Sequence, residues 1–193
     1  MRRLDTARLN KFRAWLDVTD YVRIVRRAYK NVPLGMGFGK SRFSSPTDAF
    51  KVLYLAQDTR TAIAEVIVRD RFQDRTNREL LIEELDDYSV AAMRSENPLE
   101  LIDLRGVGAN ALGVPTDAVR GRNQTAGRKF SQAIHDQTEV DGIVYLSRIT
   151  NGECIAVYDR AIGKLSTDKV ALDLPRLVSL VTDLSALHIA VIA

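Results

Sequence analysis

A single-domain α+β fold follows from three features of the chain. Its 193 residues suffice for one sizeable core but are short for two. Strand-like apolar runs and amphipathic helical stretches both occur, with no internal repeat and no linker-like segment between them. The 46% apolar and 27% charged fractions are those of an ordinary globule.

Residues 1–18 read as a basic amphipathic helix. Leu9, Phe12, Trp15 and Leu16 fall on one face, ringed by Arg2, Arg3, Arg8, Lys11 and Arg13. This N-terminal unit, 1–20, either packs on the main body, 21–193, or docks a partner. Residues 21–25 read as a strand. Gly35, Gly37 and Gly39 then alternate just before Lys40, Ser41 and Arg42. Their spacing is not the G-x-G-x-x-G of a dinucleotide fingerprint, and no helix follows. Alternating glycines permit close approach of backbone to a ligand; a flexible inter-strand loop is the other reading.

The apolar run 52–56 is strand-like and breaks at the polar turn Gln57, Asp58, Thr59. A short amphipathic helix follows, capped by Asp58 or Thr59. Residues 76–87 read as a charged helical stretch, and 90–93 and 99–104 as strands, the latter ended by Arg105 and Gly106. The segment 105–125, rich in Gly, Asn and Thr, is the least regular and covers a surface or a cleft. Ala126, Phe130, Ala133 and Ile134 share one side of a helix over 125–137. Strands over 142–146 and 154–158 are joined by 147–153. Asp173, Leu174 and Pro175 resemble a helix start, a capping aspartate followed by an early proline. The apolar tail 187–193 is strand-like and tied into a sheet or an interface.

Composition excludes several functions. No apolar run approaches the roughly 18 residues of a membrane helix, and no apolar signal core follows the charged N-terminus. One cysteine, Cys154, cannot form an internal disulfide and fits a reducing cytoplasm. With His135 and His188 the only histidines, no metal centre is expected. A net charge of +3 and a pI near 9.1 suit phosphate-bearing metabolites, nucleic acid or an acidic protein. Without an aromatic-interleaved basic stripe or a recognisable module, nucleic acid is not the expected partner.

Glu65 stands out among the charged residues. It sits among Ala62, Ile63, Ala64, Val66, Ile67 and Val68, where a carboxylate loses hydration unless a cation pairs with it. Glu65 is therefore either a buried ion-pair partner, with Arg23 for example, or an active-site acid. A serine hydrolase is poorly supported, because Ser147 lacks the flanking glycines of a nucleophile elbow.

Arg23 in its apolar strand, Arg42-Phe43 after a glycine, Tyr54-Leu55-Ala56, Glu65-Val66 and Ser147 after an apolar strand occur in the order of the RES-domain family, which the chain resembles from about Tyr21 to Asp159. That resemblance implies an ADP-ribosyltransferase-like fold, with small split β-sheets flanked by helices around a cleft. It implies a bacterial toxin that consumes NAD+, without a metal, and is neutralised by an antitoxin protein. ADP-ribose would pass to phosphate, water or a target protein; a dedicated protein mono-ADP-ribosyltransferase is the alternative. It further implies Glu65 and Arg23 as catalytic and Arg42, Tyr54 and Ser147 as NAD+-binding or supporting residues. Lys40-Ser41 replaces the family's second glycine, and Leu146 stands where a proline usually precedes the serine. From a different class, a non-catalytic basic binding protein would share the composition.

Overall fold

The computed structural model describes residues 4–72, 75–121, 123–167 and 170–192. Among them, a nine-stranded sheet curls through the molecule and a second sheet has two strands. In chain order the strands are β1 Arg13–Leu16, β2 Tyr21–Arg26, β3 Val52–Ala56, β4 Glu79–Leu81, β5 Tyr88–Ser95 and β6 Leu99–Asp103. They continue with β7 Gly142–Leu146, β8 Glu153–Tyr158, β9 Leu165–Ser166, β10 Leu172–Asp173 and β11 Ala190–Ile192. The large sheet runs β1-β6-β7-β8-β3-β2-β5-β10, with β9 also on β5. Only β6 and β7 pair in parallel within it. Parallel neighbours need a long crossover, here the segment that carries the helices α5 Gly108–Ala111, α6 Thr116–Arg120 and α7 Thr125–Gln137.

Both faces of the central strands are buried. Leu53 and Leu55 of β3 join Leu101, Val144, Ile155 and Val157 on one face. Tyr54 and Ala56 face the other with Ile102, Ile143, Ala156 and Tyr158. Two-residue alternation splits each strand this way, and two covered faces give the near-continuous apolar runs of β3, β7 and β8. The sheet is nearly divided between β3 and β2, whose register holds one pair, Val22 with Ala56. This makes two sub-sheets of a formally continuous one, in keeping with the α+β class and the split arrangement expected.

Four local expectations change. The helix expected over 1–18 is confined to α1, Thr6–Asn10, and Arg13–Leu16 is instead an edge strand on β6; Arg2 and Arg3 lie outside the described residues. Leu16 packs into the core while Trp15 is exposed, so strand pairing has overridden a helical spacing. Residues 76–87 are not one helix: β4 comes first, then α4 over Ile82–Leu85. β4 pairs in parallel with β11, a partner over a hundred residues away that the local pattern cannot announce; Ala193 lies outside the described residues. The irregular 105–125 contains the two short helices α5 and α6. Asp173 does not start a long helix. A 3-10 turn, Leu174–Arg176, follows it, and α8 begins only at Leu180–Ala186. The Asp173 carboxylate instead accepts from Ser89 Oγ at 3.1 Å and pairs with Lys30 and Arg27.

His135 on α7 stacks on Phe50, with ring centroids 4.1 Å apart, and meets Tyr158 edge-on. Burial, then the nearby Arg160 charge, depress its pKa below the usual 6.5, against the pull of Asp136 and Asp159. The unfolded chain therefore takes up this proton more readily than the folded one. Stability from neutral His135 is present above about pH 6.5 and lost as pH falls through the lower folded value. In urea titrations, wild type should lose more midpoint between pH 7 and pH 5 than His135→Phe; equal losses would remove His135 from the effect.

Candidate active site

Helix α2, Thr59–Ile63, starts where Asp58 accepts the Thr61 N–H at 2.7 Å, as a capping aspartate does. Its C-terminal continuation over Ala64–Val68 is a π-helical turn, followed by the single turn α3, Arg69–Arg71. Glu65 lies in that π turn. Such wide turns are rare in proteins and concentrate at functional sites, because the extra residue re-aims neighbouring side chains. Ala64, Ile67 and Val68 stay buried while Glu65 is 22% exposed at its side chain.

The Glu65 carboxylate meets a serine. Ser147, fully buried, donates from Oγ to Glu65 Oε1 at 2.6 Å. The backbone N–H groups of Ile149 and Thr150 donate to the same Oγ at 3.2 and 3.3 Å. With its acceptor capacity used by the turn, the hydroxyl proton is committed to Glu65. Ser147 thus holds the carboxylate in place from the β7–β8 turn.

The turn carrying Ser147 is itself docked on α2. Ser147 N–H donates to Gly152 O at 2.8 Å, Asn151 N–H donates to Ser147 O at 3.0 Å, and Asn151 takes a left-handed φ of 56°. Thr61 Oγ1 and Thr150 Oγ1 are 3.1 Å apart. A Cβ on Gly152 would stand 2.2 Å from Thr61 Oγ1, so glycine is what lets turn and helix approach.

Arg42 comes from the irregular segment before β3 and is clamped by α7. A Cβ at Gly127 would lie 2.7 Å from Arg42 O. Ser131 Oγ donates to Phe43 O at 2.7 Å, and Arg128 Nη2 donates to Ser45 O at 2.5 Å. Tyr54 Oη accepts from Ser41 Oγ at 2.9 Å and from Phe43 N–H at 3.0 Å, pinning the turn from below. Ser41, the departure from the family glycine, therefore supplies a bond that glycine could not. Arg42 Nη1 donates to Gly121 O at 2.8 Å, and among the described residues it makes no further hydrogen bond. Burial first, and the charge of Arg148, lower the Arg42 pKa; Tyr145, Glu65 and Tyr54 oppose them.

The structure thus joins Glu65 to Ser147 by a hydrogen bond and Arg42 to Tyr54 through the 41–43 turn, with Glu65 favouring the Arg42 charge. It also adds three residues that sequence reasoning missed or left unassigned. Arg69 Nη1 is 3.9 Å from Glu65 Oε2, an i,i+4 pair that the spacing could have announced. Tyr145, buried beneath the site and edge-on to Phe43 at 4.9 Å, has no local signal. Arg148 follows Ser147 directly.

Arg23 stands apart. Its Nη1 donates to Pro33 O at 2.6 Å and to Gly35 O at 2.9 Å, and burial lowers its pKa. By strand alternation it shares a face of β2 with Tyr21, which packs in the core opposite Tyr54. The ion pair with Glu65 belongs to Arg69, and Arg23 instead anchors the glycine-bearing loop.

A cavity of about 630 Å³ lies elsewhere, between α1, Leu112–Pro115 and α7. Its walls are largely apolar and include none of Glu65, Ser147, Arg42 or Tyr54, so side-chain chemistry rather than cavity size marks the site. Among the described residues no group of His, Cys, Asp and Glu is placed to hold a metal ion, and no helix is long and apolar enough to cross a membrane.

Fold and site together define a mixed α/β protein whose candidate site is a glutamate bound to a buried serine and paired with an arginine. Residues 20–179 match the family model of the RES domain, and the chain belongs to that family. "Probable toxin y4kH" of Sinorhizobium fredii (strain NBRC 101917 / NGR234) is 39% identical over 87 residues, 44% of this chain and 68% of that protein. The fold resembles that of a chain in the crystal structure of the M. tuberculosis MbcT–MbcA toxin–antitoxin complex. The TM-score is 0.65 at 17% identity, over 88% of this chain and 92% of that one.

Two substitutions test the geometry. Tyr54→Phe removes the acceptor of a part-buried N–H and a hydroxyl, and should cost about 1–3 kcal/mol in urea unfolding while speeding exchange of the Phe43 amide. Gly152→Ala should cost a similar ~1–3 kcal/mol through overpacking against Thr61, partly restored by Thr61→Ala in the double variant. Additive losses would contradict direct contact.

Proposed function

We propose that this chain is a RES-type toxin of a toxin–antitoxin module, cleaving the nicotinamide–ribose bond of NAD+ and passing ADP-ribose to an acceptor: phosphate, water or a protein. The observation that carries this reading is the Glu65 carboxylate, aimed by a π turn and fixed by Ser147 at 2.6 Å, within the field of Arg42. Membership of the RES family supports it, as do the toxin name of the Sinorhizobium relative and the toxin–antitoxin complex that shares the fold.

The chemistry suits these residues. Nicotinamide leaves as a neutral base, its ring nitrogen keeping the electron pair of the broken C1′–N bond. No general acid is therefore needed at the leaving group. The ribose is left with oxocarbenium character, which a fixed carboxylate nearby stabilises, as in glycoside hydrolysis. A lone pair of the acceptor then closes the new bond to C1′, and its proton departs to Glu65 or to solvent. Because Ser147 already holds Glu65 in place, little reorganisation is needed during the reaction. Arg42 offers a fork of donors to phosphate oxygens. Tyr54 holds the turn that carries it, and Arg23 anchors the glycine-bearing loop that precedes that turn. An enzyme that drains NAD+ harms its own cell, which is why a neutralising antitoxin partner belongs to the proposal.

Nicotinamide release from NAD+ by purified protein, with and without phosphate and with cell lysate, tests this. Glu65→Gln should lower release at least about a hundredfold, the scale of losing a preorganised electrostatic group, with an unchanged circular dichroism spectrum. Full turnover by Glu65→Gln, or no release by wild type with any acceptor, would contradict the assignment.

A further inference from the structure

The cavity of about 630 Å³ between α1, Leu112–Pro115 and α7 falls within the size range of small-molecule sites, about 300–1,000 Å³. Its interior is apolar, with buried Leu9, Val114 and Ala133 and half-buried Phe130 among its walls. The charged residues that line it are Asp5, Arg8 and Lys129, all exposed and therefore at its mouth. The Asp5 carboxylate is engaged in capping α1, where it accepts the Arg8 N–H at 3.1 Å. The Arg8 guanidinium and the Lys129 ammonium make, among the described residues, neither a hydrogen bond nor an ion pair. An apolar interior with two uncommitted cations at its mouth is complementary to a short apolar chain with an anionic head. The chain gains by leaving water and the head keeps a charged partner.

Helix α7 joins this cavity to the turn that carries Arg42. Lys129, Phe130 and Ala133 line the cavity, while Gly127, Arg128 and Ser131 hold the turn. Gln132 belongs to both, since it lines the cavity and its Oε1 accepts from Ser45 Oγ at 2.7 Å. Pro46, the residue after Ser45, is part of the cavity wall as well. We propose that the cavity is an effector site for a small amphiphilic anion, whose occupancy is felt at the Arg42 turn through α7. Neither Arg42 nor Phe43 lines the cavity, so a ligand there acts on them through the helix and not by contact. Close-packed interiors transmit such displacements.

NMR titration of the full chain with octanoate, decanoate and 1-octanol, below micelle-forming concentrations, tests both parts. It needs no turnover, so it stands or falls apart from the NAD+ reading. Octanoate should shift the Ala133 amide saturably, and decanoate should bind about tenfold more tightly, the scale of two more buried CH₂ groups. 1-Octanol should bind about fivefold more weakly than octanoate, the scale of an exposed ion pair. The Phe43 amide should shift along the same octanoate curve as Ala133. Arg8→Ala combined with Lys129→Ala, both at exposed positions, should bring octanoate to the level of 1-octanol. Ala133→Leu should weaken all three ligands by filling the space. No saturable shift, or octanoate binding unweakened by loss of both cations or by Ala133→Leu, overturns the site. Equal binding of octanoate and 1-octanol by wild type also overturns it, and fits an apolar side chain of a protein partner instead. Binding that leaves the Phe43 amide unmoved overturns the coupling to the Arg42 turn.

Discussion

The hydrogen bond from Ser147 to Glu65 is the contact on which the site depends. It joins two elements distant in sequence: the π turn after α2 and the hairpin between β7 and β8. A carboxylate that is mostly withdrawn from water requires compensation, and here a buried hydroxyl and a guanidinium four residues on supply it. The approach is made possible by Gly152 and by the paired hydroxyls of Thr61 and Thr150. Packing of small residues between turn and helix thereby sets the position of the Glu65 carboxylate.

The same logic governs the arginines. Arg42 has no regular element of its own; α7 holds its backbone, and Tyr54 holds the turn around it. A segment without helix or strand can thus present a side chain precisely placed by neighbours that are themselves rigid. On the far side of the sheet, Tyr21 and Arg105 both bond to Glu153, and Arg105 bonds bidentately to Asp103. This chain of contacts runs from β2 across to β8 and the end of β6, spanning the place where the sheet is nearly divided. The two sub-sheets are held together there by side chains more than by backbone pairing.

Much of this was legible in the sequence where the signal is local. The strand 52–56, the capping Asp58, the helix Thr125–Gln137 and the strands either side of Ser147 stand where apolar period and turn residues put them. Glu65 announced itself as a carboxylate in apolar surroundings. What was not legible depends on distant partners. The 13–16 segment has a helix-like spacing but meets β6, and β4 exists only because β11 returns to it. The π turn that carries Glu65 has no counterpart in the short helix read from the sequence, whereas its i,i+4 pair with Arg69 was there in the spacing. Arg23 sits one strand position out of phase with Tyr54's face, which no composition argument reveals.

A crystal structure of the Glu65→Gln variant soaked with NAD+ would test the central claim most directly, since the trapped ligand reports where the chemistry sits. The account predicts the ribose C1′ beside residue 65, with the phosphates against Arg42. Density for NAD+ in the apolar cavity beside α1, or against Arg23 on the opposite face of β2, would contradict it.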